Sequence, residues 1–368
     1  MKIRLTAALG LSAALLLSAC AANEGTTTPD TTGSAAATTG ESAASTLEGT
    51  LSGKGSSAVN SAQTTWIAKF QEANPGVTVN YAPDGSGAGR EAFMGAGVDF
   101  AGSDRAFTLE ENVAGASSLC ADTSIAYNLP IYVSPIAVIF NLEGVTELNL
   151  DPDTLAGIFN GSITKWNDPA IAATNEGVEL PDMDITPVHR SDDSGTTENF
   201  TDYLNKTAPS VWTNEADGEW TYEGGEAAKG TSGVVAAVTN GTGTIGYADA
   251  SQAGELSVAM IGTDGNYFGP TAEAAAAAVD ASPIEEGREA NDLAIELDRS
   301  AEGYGIVLVA YGMACAEYAD PAKAELVKAY LGYVASEQGQ LDAAEGAGSA
   351  PLAPALRDKV IAAIDAIK

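Results

Sequence analysis

Residues 185–197 read ITPVHRSDDSGTT, and this stretch passes from a strand pattern through a polar turn to a helix start. Its first four residues are β-branched apart from one proline, which is typical of a strand. The small residues Ser194-Gly195-Thr196 favour a helix N-terminus, where unpaired N–H groups and the helix dipole attract anions. Arg190 adds a planar fork of donors, and Asp192 can hold that guanidinium in place. The stretch therefore predicts an oxyanion contact.

The sequence on both sides of this stretch alternates strand and helix patterns. Val77–Tyr81 alternates apolar and polar residues, and Ile131–Phe140 is a nearly continuous apolar run, so both predict strands. Apolar residues at spacings of three and four follow Ser56-Ser57, and these serines are expected to cap a helix. Residues 321–335 and 356–367 have similar helical periodicity. The fold class is α/β, and the sequence contains no evident internal repeat.

Three further segments place glycines and small polar residues at predicted helix starts: 52–57, 84–89 and 230–233. Each segment alone is commonly structural, because Gly/Ser turns often cap helices. With the stretch around Arg190 there are four such segments in one chain, and together they favour an oxyanion site. A nucleotide phosphate loop is excluded, since its Gly-x-x-x-x-Gly-Lys-Ser/Thr pattern is not met where Lys54 precedes Gly55. Lys54 is interpreted as a solvated loop lysine rather than a ligand.

Composition excludes several classes of protein. The chain has 368 residues, with 17 Lys and Arg against 50 Asp and Glu, a formal net charge of −33. Nucleic acid is not expected as a partner, because phosphate backbones are held by clustered basic residues. One His and three Cys exclude a His-rich cage and a four-thiolate site, so neither a metal nor a cofactor is expected. His189 is interpreted as structural, because on a strand it faces away from Arg190.

The N-terminus resembles that of a bacterial lipoprotein. A short basic region precedes an apolar run that is too short to span a membrane comfortably, and Leu17-Ser18-Ala19-Cys20 resembles a lipobox. The predictions are a signal peptide at 1–19 and a lipidated Cys20 with a flexible tether over 20–47. An ordinary secretory signal is the alternative. Cys120 and Cys315 are predicted to form a disulfide outside the cytoplasm, with two free buried thiols as the alternative.

The loop Arg190–Thr196 resembles the Arg-x-Asp-x-Ser-Gly-Thr motif of the phosphate-binding proteins that feed the high-affinity phosphate ABC importer. Residues 53–57, 81–89 followed by 98–104, and 155–169 are similar to the same family in order and spacing. The resemblance covers about residues 47–368. It implies an α/β, two-lobed periplasmic-binding-protein fold of type II, with the ligand cleft between the lobes.

The resemblance also implies a set of ligand-holding residues. They are Ser57, Ala58, Ser86, Asp104, Arg190, Ser194, Gly195 and Thr196, with Asp192 orienting Arg190. Ala58 stands where some members have phenylalanine, and it keeps the backbone donor. Asp104 can only accept, so it suits a ligand that brings its own proton, as phosphate does and sulfate does not. A cap or turn residue is the alternative role for Asp104.

The implied organisation places lobe I at 48–132 plus 303–368 and lobe II at 133–302. Chain crossings near Pro130–Tyr132 and Gly305–Val307 would form the hinge, and closure on the ligand would be read by the importer. Both Cys120 and Cys315 would then lie in lobe I.

The expected protein is an extracytoplasmic monomer without catalytic activity, anchored to the cell membrane by a lipid. Its expected partners are inorganic phosphate and the membrane subunits of an ABC transporter. Two alternatives remain: a receptor for another tetrahedral oxyanion, such as sulfate or molybdate, and a secreted hydrolase of phosphate esters.

Overall fold

The computed structural model describes residues 47–299 and 303–368. The predicted signal peptide, the lipidated Cys20 and the tether up to residue 46 lie outside the described residues. The strands are β1 (Gly49–Gly55), β2 (Val77–Ala82), β3 (Phe100–Ser103), β4 (Ala126–Asn141), β5 (Asn149–Leu150), β6 (Thr186–Arg190), β7 (Glu226–Ala228), β8 (Thr244–Asp249), β9 (Ser257–Val258), β10 (Met260–Thr263), β11 (Asn266–Phe268) and β12 (Val307–Cys315). The helices are α1 (Asn60–Ala73), α2 (Ser86–Met94), α3 (Pro152–Phe159), α4 (Pro169–Thr174), α5 (Gly195–Thr207), α6 (Gly230–Asn240), α7 (Ala272–Asp280), α8 (Pro321–Ala335), α9 (Glu337–Ala347) and α10 (Pro354–Asp365).

One mixed sheet runs through the molecule in the order β2-β1-β3-β12-β4-β8-β6-β7, with β9 also paired to β4. The 16-residue strand β4 belongs to both halves of this sheet. Residues up to Pro135 pair with β12, and residues from Ile136 onward pair with β8. We call lobe I the half with β2, β1, β3, β12 and the first part of β4, and lobe II the half with the rest. The α/β class and the two-lobed fold are confirmed.

Helices cover both halves of the sheet. Helix α1 buries Trp66 and Phe70 in lobe I, where the Phe70 ring lies 5.3 Å from that of Tyr330. In lobe II, Phe200 of α5 stacks on Tyr247 of β8 at 4.4 Å. Apolar burial of this size is the main term that stabilises each half. A separate three-stranded sheet, β11-β10-β5, lies in lobe II.

The segment that begins with α7 contacts lobe I, although the predicted limits place it in lobe II. Helix α7 packs against β4 and β12. Farther along, Asn128 of β4 donates from Nδ2 to Asp292 at 2.6 Å and accepts from the Leu293 N–H at 3.0 Å. The change of pairing partner along β4 also comes at Pro135, beyond the crossing predicted at 130–132. The lobe limits stay a prediction.

The cysteines Cys120 and Cys315 form a disulfide, with their Cα atoms 5.3 Å apart. Cys315 ends β12, and Cys120 lies in the irregular segment before β4. The bond therefore fastens that segment to the sheet of lobe I without crossing to lobe II. No helix of the described residues is long and apolar enough to cross a membrane.

Candidate functional site

The loop between β6 and α5 forms the centre of the site. Strand β6 ends at Arg190 and α5 begins at Gly195, as the sequence predicts. Ser194 caps α5, because its hydroxyl oxygen accepts from the Thr197 N–H at 3.2 Å. The first N–H groups of the helix thus follow the end of β6, where Arg190 is buried, and this geometry favours an anion.

Arg190 is buried, with 2% of its surface exposed, and is held by one carboxylate. Its Nε donates to Asp192 Oδ1 at 2.8 Å and its Nη2 to Oδ2 at 2.5 Å. Asp192 Oδ1 also accepts from the Gly230 N–H at 3.0 Å. Burial raises the pKa of Asp192, but its hydrogen bonds and the charge of Arg190 outweigh burial and hold that pKa below its usual value. The ion pair fixes the orientation of the guanidinium, and Nη1 takes no part in the pair.

Asp104 follows β3 and is 3% exposed. Its Oδ2 accepts from the Thr196 hydroxyl at 2.9 Å, whereas Oδ1 is buried without a hydrogen-bond partner among the described residues. Burial raises the pKa of Asp104, although nearby hydroxyl groups and the charge of Arg190 oppose it. A buried acceptor with a free oxygen suits a ligand that can donate a proton.

Ser86 and Gly195 bring the two lobes into contact. Ser86 begins α2, and its hydroxyl accepts from the Asp104 N–H at 3.1 Å. A Cβ on Gly195 would lie 2.8 Å from both Asp104 Cβ and Ser86 Oγ. Position 195 therefore requires glycine, because a side chain would keep the start of α5 away from lobe I.

The loop after β1 contacts lobe II through Ser57. Its hydroxyl lies 3.0 Å from Thr231 Oγ1 and accepts from the Thr231 N–H at 3.0 Å. The prediction that Ser56-Ser57 cap α1 is wrong, because the helix begins at Asn60 after an N-cap, Val59, that makes no side-chain cap bond. The N–H of Ala58 donates to Ser56 Oγ at 3.1 Å.

The structure brings all eight predicted ligand-holding residues and Asp192 to the junction of the lobes. Lys54 is paired with Asp84 at 3.1 Å and is 31% exposed. His189 stacks on Trp220, with 4.7 Å between the ring centres. The described residues hold no group of three or more His, Cys, Asp or Glu placed for a metal ion.

Sequence reasoning missed several residues at this junction. Thr231 lies in a segment that the sequence indicates as a helix start, so a signal for it existed. Gln252 donates from Nε2 to the carbonyls of Ser57 and Ala58 at 2.9 Å each. Asn199 donates from Nδ2 to the Asp104 carbonyl at 2.7 Å. For Gln252 and Asn199 no local pattern gives a signal, because both act through contacts between distant parts of the chain.

Ion pairs among the described residues also join the lobes. Arg90 pairs with Asp193 at 2.9 Å, and Arg105 with Glu198 at 3.1 Å. Lys229 lies 3.8 Å from Asp84, which also pairs with Lys54. Burial raises the pKa of Glu198 to about 7, although the charge of Arg105 opposes the shift. Together with the hydroxyl contacts, these pairs describe a closed cleft.

Two half-sheets joined by one long strand, with polar helix starts meeting between them, define a two-lobed solute-binding protein. A family model described as a PBP superfamily domain matches residues 34–338. The chain belongs to this superfamily and, within it, to the PstS family of phosphate-binding proteins.

Several curated relatives support this membership. Phosphate-binding protein PstS3 of Mycobacterium bovis is 40% identical over 341 residues, which cover 89% of this chain and 90% of the relative. PstS 3 of Mycobacterium leprae is 40% identical over 299 residues, covering 77% and 78%. PstS2 of Mycobacterium bovis is 34% identical over 330 residues, covering 86% and 87%.

Solved structures support the fold. A phosphate-binding protein from Stenotrophomonas maltophilia has a TM-score of 0.67 at 20% identity, covering 85% of this chain and 93% of that chain. A high-affinity periplasmic phosphate-binding protein, PfluDING, solved with phosphate bound, has a TM-score of 0.65 at 23% identity, covering 86% and 93%.

Proposed function

We propose that this protein binds inorganic phosphate in the cleft between its lobes and delivers it to a membrane ABC importer. The observation that carries the proposal is the buried Arg190, held by Asp192 beside the start of α5. A guanidinium oriented in this way can donate to two oxygens of one phosphate, and such charge-assisted bonds are strong where water is excluded. The names of the relatives support the same ligand.

Donors from both lobes complete the proposed site. Gly195 and Thr196 offer backbone N–H groups from the start of α5, and Ser194 offers a hydroxyl, whereas the Thr196 hydroxyl already donates to Asp104. From lobe I, Ser57 and Ser86 offer hydroxyls. The Ala58 N–H donates to Ser56 Oγ at 3.1 Å and would exchange that bond for one to the ligand. A ligand held by both lobes favours the closed form through its higher affinity for that form, and the importer would bind the closed form.

In this proposal, Asp104 is the residue that distinguishes phosphate from other tetrahedral anions. At neutral pH phosphate carries at least one proton, which it can donate to the free Oδ1, whereas sulfate and the carboxylate would repel each other. The buried position of Oδ1 supports this role, since a buried acceptor without a partner is costly and a proton on the ligand would satisfy it.

The remaining parts of the proposal concern location and assembly. The lipobox-like sequence supports an anchor at Cys20 on the outer side of the cell membrane, with the tether up to residue 47 as spacer. We propose a monomer without catalytic activity, which binds and releases phosphate unchanged.

Calorimetric titration with phosphate, arsenate, sulfate and molybdate tests the ligand. We expect phosphate to bind and sulfate not to, and Arg190→Ala to lower phosphate affinity at least about a hundredfold, because charge-assisted bonds are lost. Arg357→Ala, a change on α10 outside the site, is the matched control and should bind as the parent does. Sulfate bound as tightly as phosphate would favour a general oxyanion receptor.

Incubation with a generic phosphate ester separates binding from hydrolysis. Release of phosphate at a rate that falls in Arg190→Ala would indicate a hydrolase and contradict the proposal.

A further inference from the structure

An ion pair between the lobes lies directly beside the proposed phosphate loop. Arg90 of α2, in lobe I, donates from Nη2 to Asp193 Oδ2 at 2.9 Å and to Oδ1 at 3.2 Å. Asp193 stands between Asp192, which holds Arg190, and Ser194, which caps α5. The pair therefore connects lobe I to the segment that carries the anion donors.

The residues around both members of this ion pair favour its formation. The Arg90 side chain is only 7% exposed, and its Nη1 donates to Ser103 Oγ at 3.1 Å, so it is fixed within lobe I. Across the cleft the Gly87 N–H donates to the Asp193 carbonyl at 3.2 Å. A Cβ on Gly87 would lie 2.1 Å from Asp193 Oδ2, so the carboxylate occupies room that only glycine leaves.

We propose that Arg90 and Asp193 form a latch that stabilises the closed cleft and slows phosphate release without touching the ligand. The proposal rests on the proposed function for its ligand. The ion pair can form only while the lobes are in contact. Its free energy therefore stabilises the closed form and helps to retain the enclosed phosphate. Arg90 and Asp193 are positioning residues, since Arg190, Asp104 and the start of α5 supply the proposed ligand contacts.

The variants Arg90→Gln and Asp193→Asn test the latch singly and together. Each should lower phosphate affinity about five- to tenfold, because a partly exposed ion pair, in which Nη2 alone donates to both carboxylate oxygens, is lost. The change should lie in the dissociation rate, with the association rate and the ratio of phosphate to arsenate affinity unchanged. The double variant should be no weaker than either single one, since both remove the same interaction. Lys165→Gln, which breaks an exposed pair within lobe II, is the control.

Hydrogen exchange of the Gly87 amide gives a second readout that needs no ligand. Loss of the latch should expose this amide more often, so both single variants should exchange faster there than the parent. Unchanged exchange at Gly87 in both variants would overturn the latch even if the parent bound no phosphate. Weaker binding in Arg90→Gln alone, with Asp193→Asn equal to the parent, would also overturn it and would assign Arg90 a direct charge effect on the ligand.

Discussion

Asp104 differs from the other groups around the start of α5, because it can only accept hydrogen bonds while it is ionised. Thr196 satisfies one of its oxygens, and the other is buried without a partner in the described part of the chain. In a site that otherwise offers donors, this oxygen can bond only to a ligand that carries a proton. Under the proposed function, selectivity at this position depends on one charge rather than on the size of the ligand.

Asp104→Asn should narrow the ratio of phosphate to sulfate affinity by at least about tenfold. The amide removes the repulsion and can donate to an unprotonated sulfate oxygen, while it keeps an acceptor for phosphate. Calorimetric titration with both anions at neutral pH measures the ratio. Acidification should also lower the ratio of phosphate to sulfate affinity in the parent. Burial raises the pKa of Asp104, and protonation of its carboxylate removes the charge.

Asp99→Asn is the matched control for this change. Asp99 is also buried and precedes β3, where it accepts from the Ser52 N–H at 2.7 Å and pairs with Lys323 at 3.0 Å. This variant should leave the ratio of affinities unchanged. An unchanged ratio in Asp104→Asn would show that another group excludes sulfate.

At the scale of helices and strands, the disulfide between Cys120 and the end of β12 stabilises an irregular segment of lobe I. Replacing both cysteines by serine should lower Tm by several degrees. The chain-entropy model gives about 5 kcal/mol for a loop of this length as an upper bound. Calorimetric melting of parent and variant measures the loss.

Phosphate affinity should stay within about twofold of the parent in this variant, because the bond lies within lobe I and leaves closure free. Treatment of the parent with reductant should lower its Tm to that of the variant. Equal Tm values for oxidised parent and variant would contradict the stabilising role.

The starts of the helices show how far local sequence predicts structure. Helix α5 begins at Gly195, where the sequence predicts a helix N-terminus, because its cap, Ser194, depends only on residues 194–197. Ser57 does not cap α1, because its hydroxyl bonds Thr231, which lies 174 residues away. The strand–turn–helix around Arg190 and the family motif were thus predictable. The partners Gln252 and Arg90 were not, since they depend on how two lobes meet. For Thr231 the sequence indicated the helix start but not the bond to Ser57.

At the scale of the whole molecule, Asp249 lies where β4 changes its pairing partner, opposite Ile136. Its Oδ1 accepts from the Tyr132 hydroxyl at 3.0 Å and from the Ser251 hydroxyl at 2.5 Å, while Oδ2 has no partner among the described residues. Burial raises the pKa of Asp249 to about 6. The folded form therefore holds this proton more tightly than the unfolded form does.

Stability from this group is fully present below the unfolded pKa of about 4 and is lost as pH rises to about 6. Asp249→Asn has no proton to lose, so its free energy of unfolding relative to the parent should rise by about 2 kcal/mol between pH 4 and pH 7.5. Urea denaturation of both proteins at the two pH values measures the difference.

Asp365→Asn, a change of an exposed carboxylate on α10, should show no such pH-dependent difference. A parent and an Asp249→Asn variant with parallel pH profiles would contradict the raised pKa.

The order of strands in the sheet has a consequence for how the chain folds as it is made. Strand β12 lies between β3 and β4, yet residues 307–315 come after every strand of lobe II. The sheet of lobe II can pair as soon as residue 258 is available, whereas that of lobe I waits for a strand near the C-terminus. Such distant pairing slows folding and prolongs exposure of unpaired strand edges. The part of lobe I formed by β1, β2 and β3 thus stays open to misassociation until nearly the whole chain has been made.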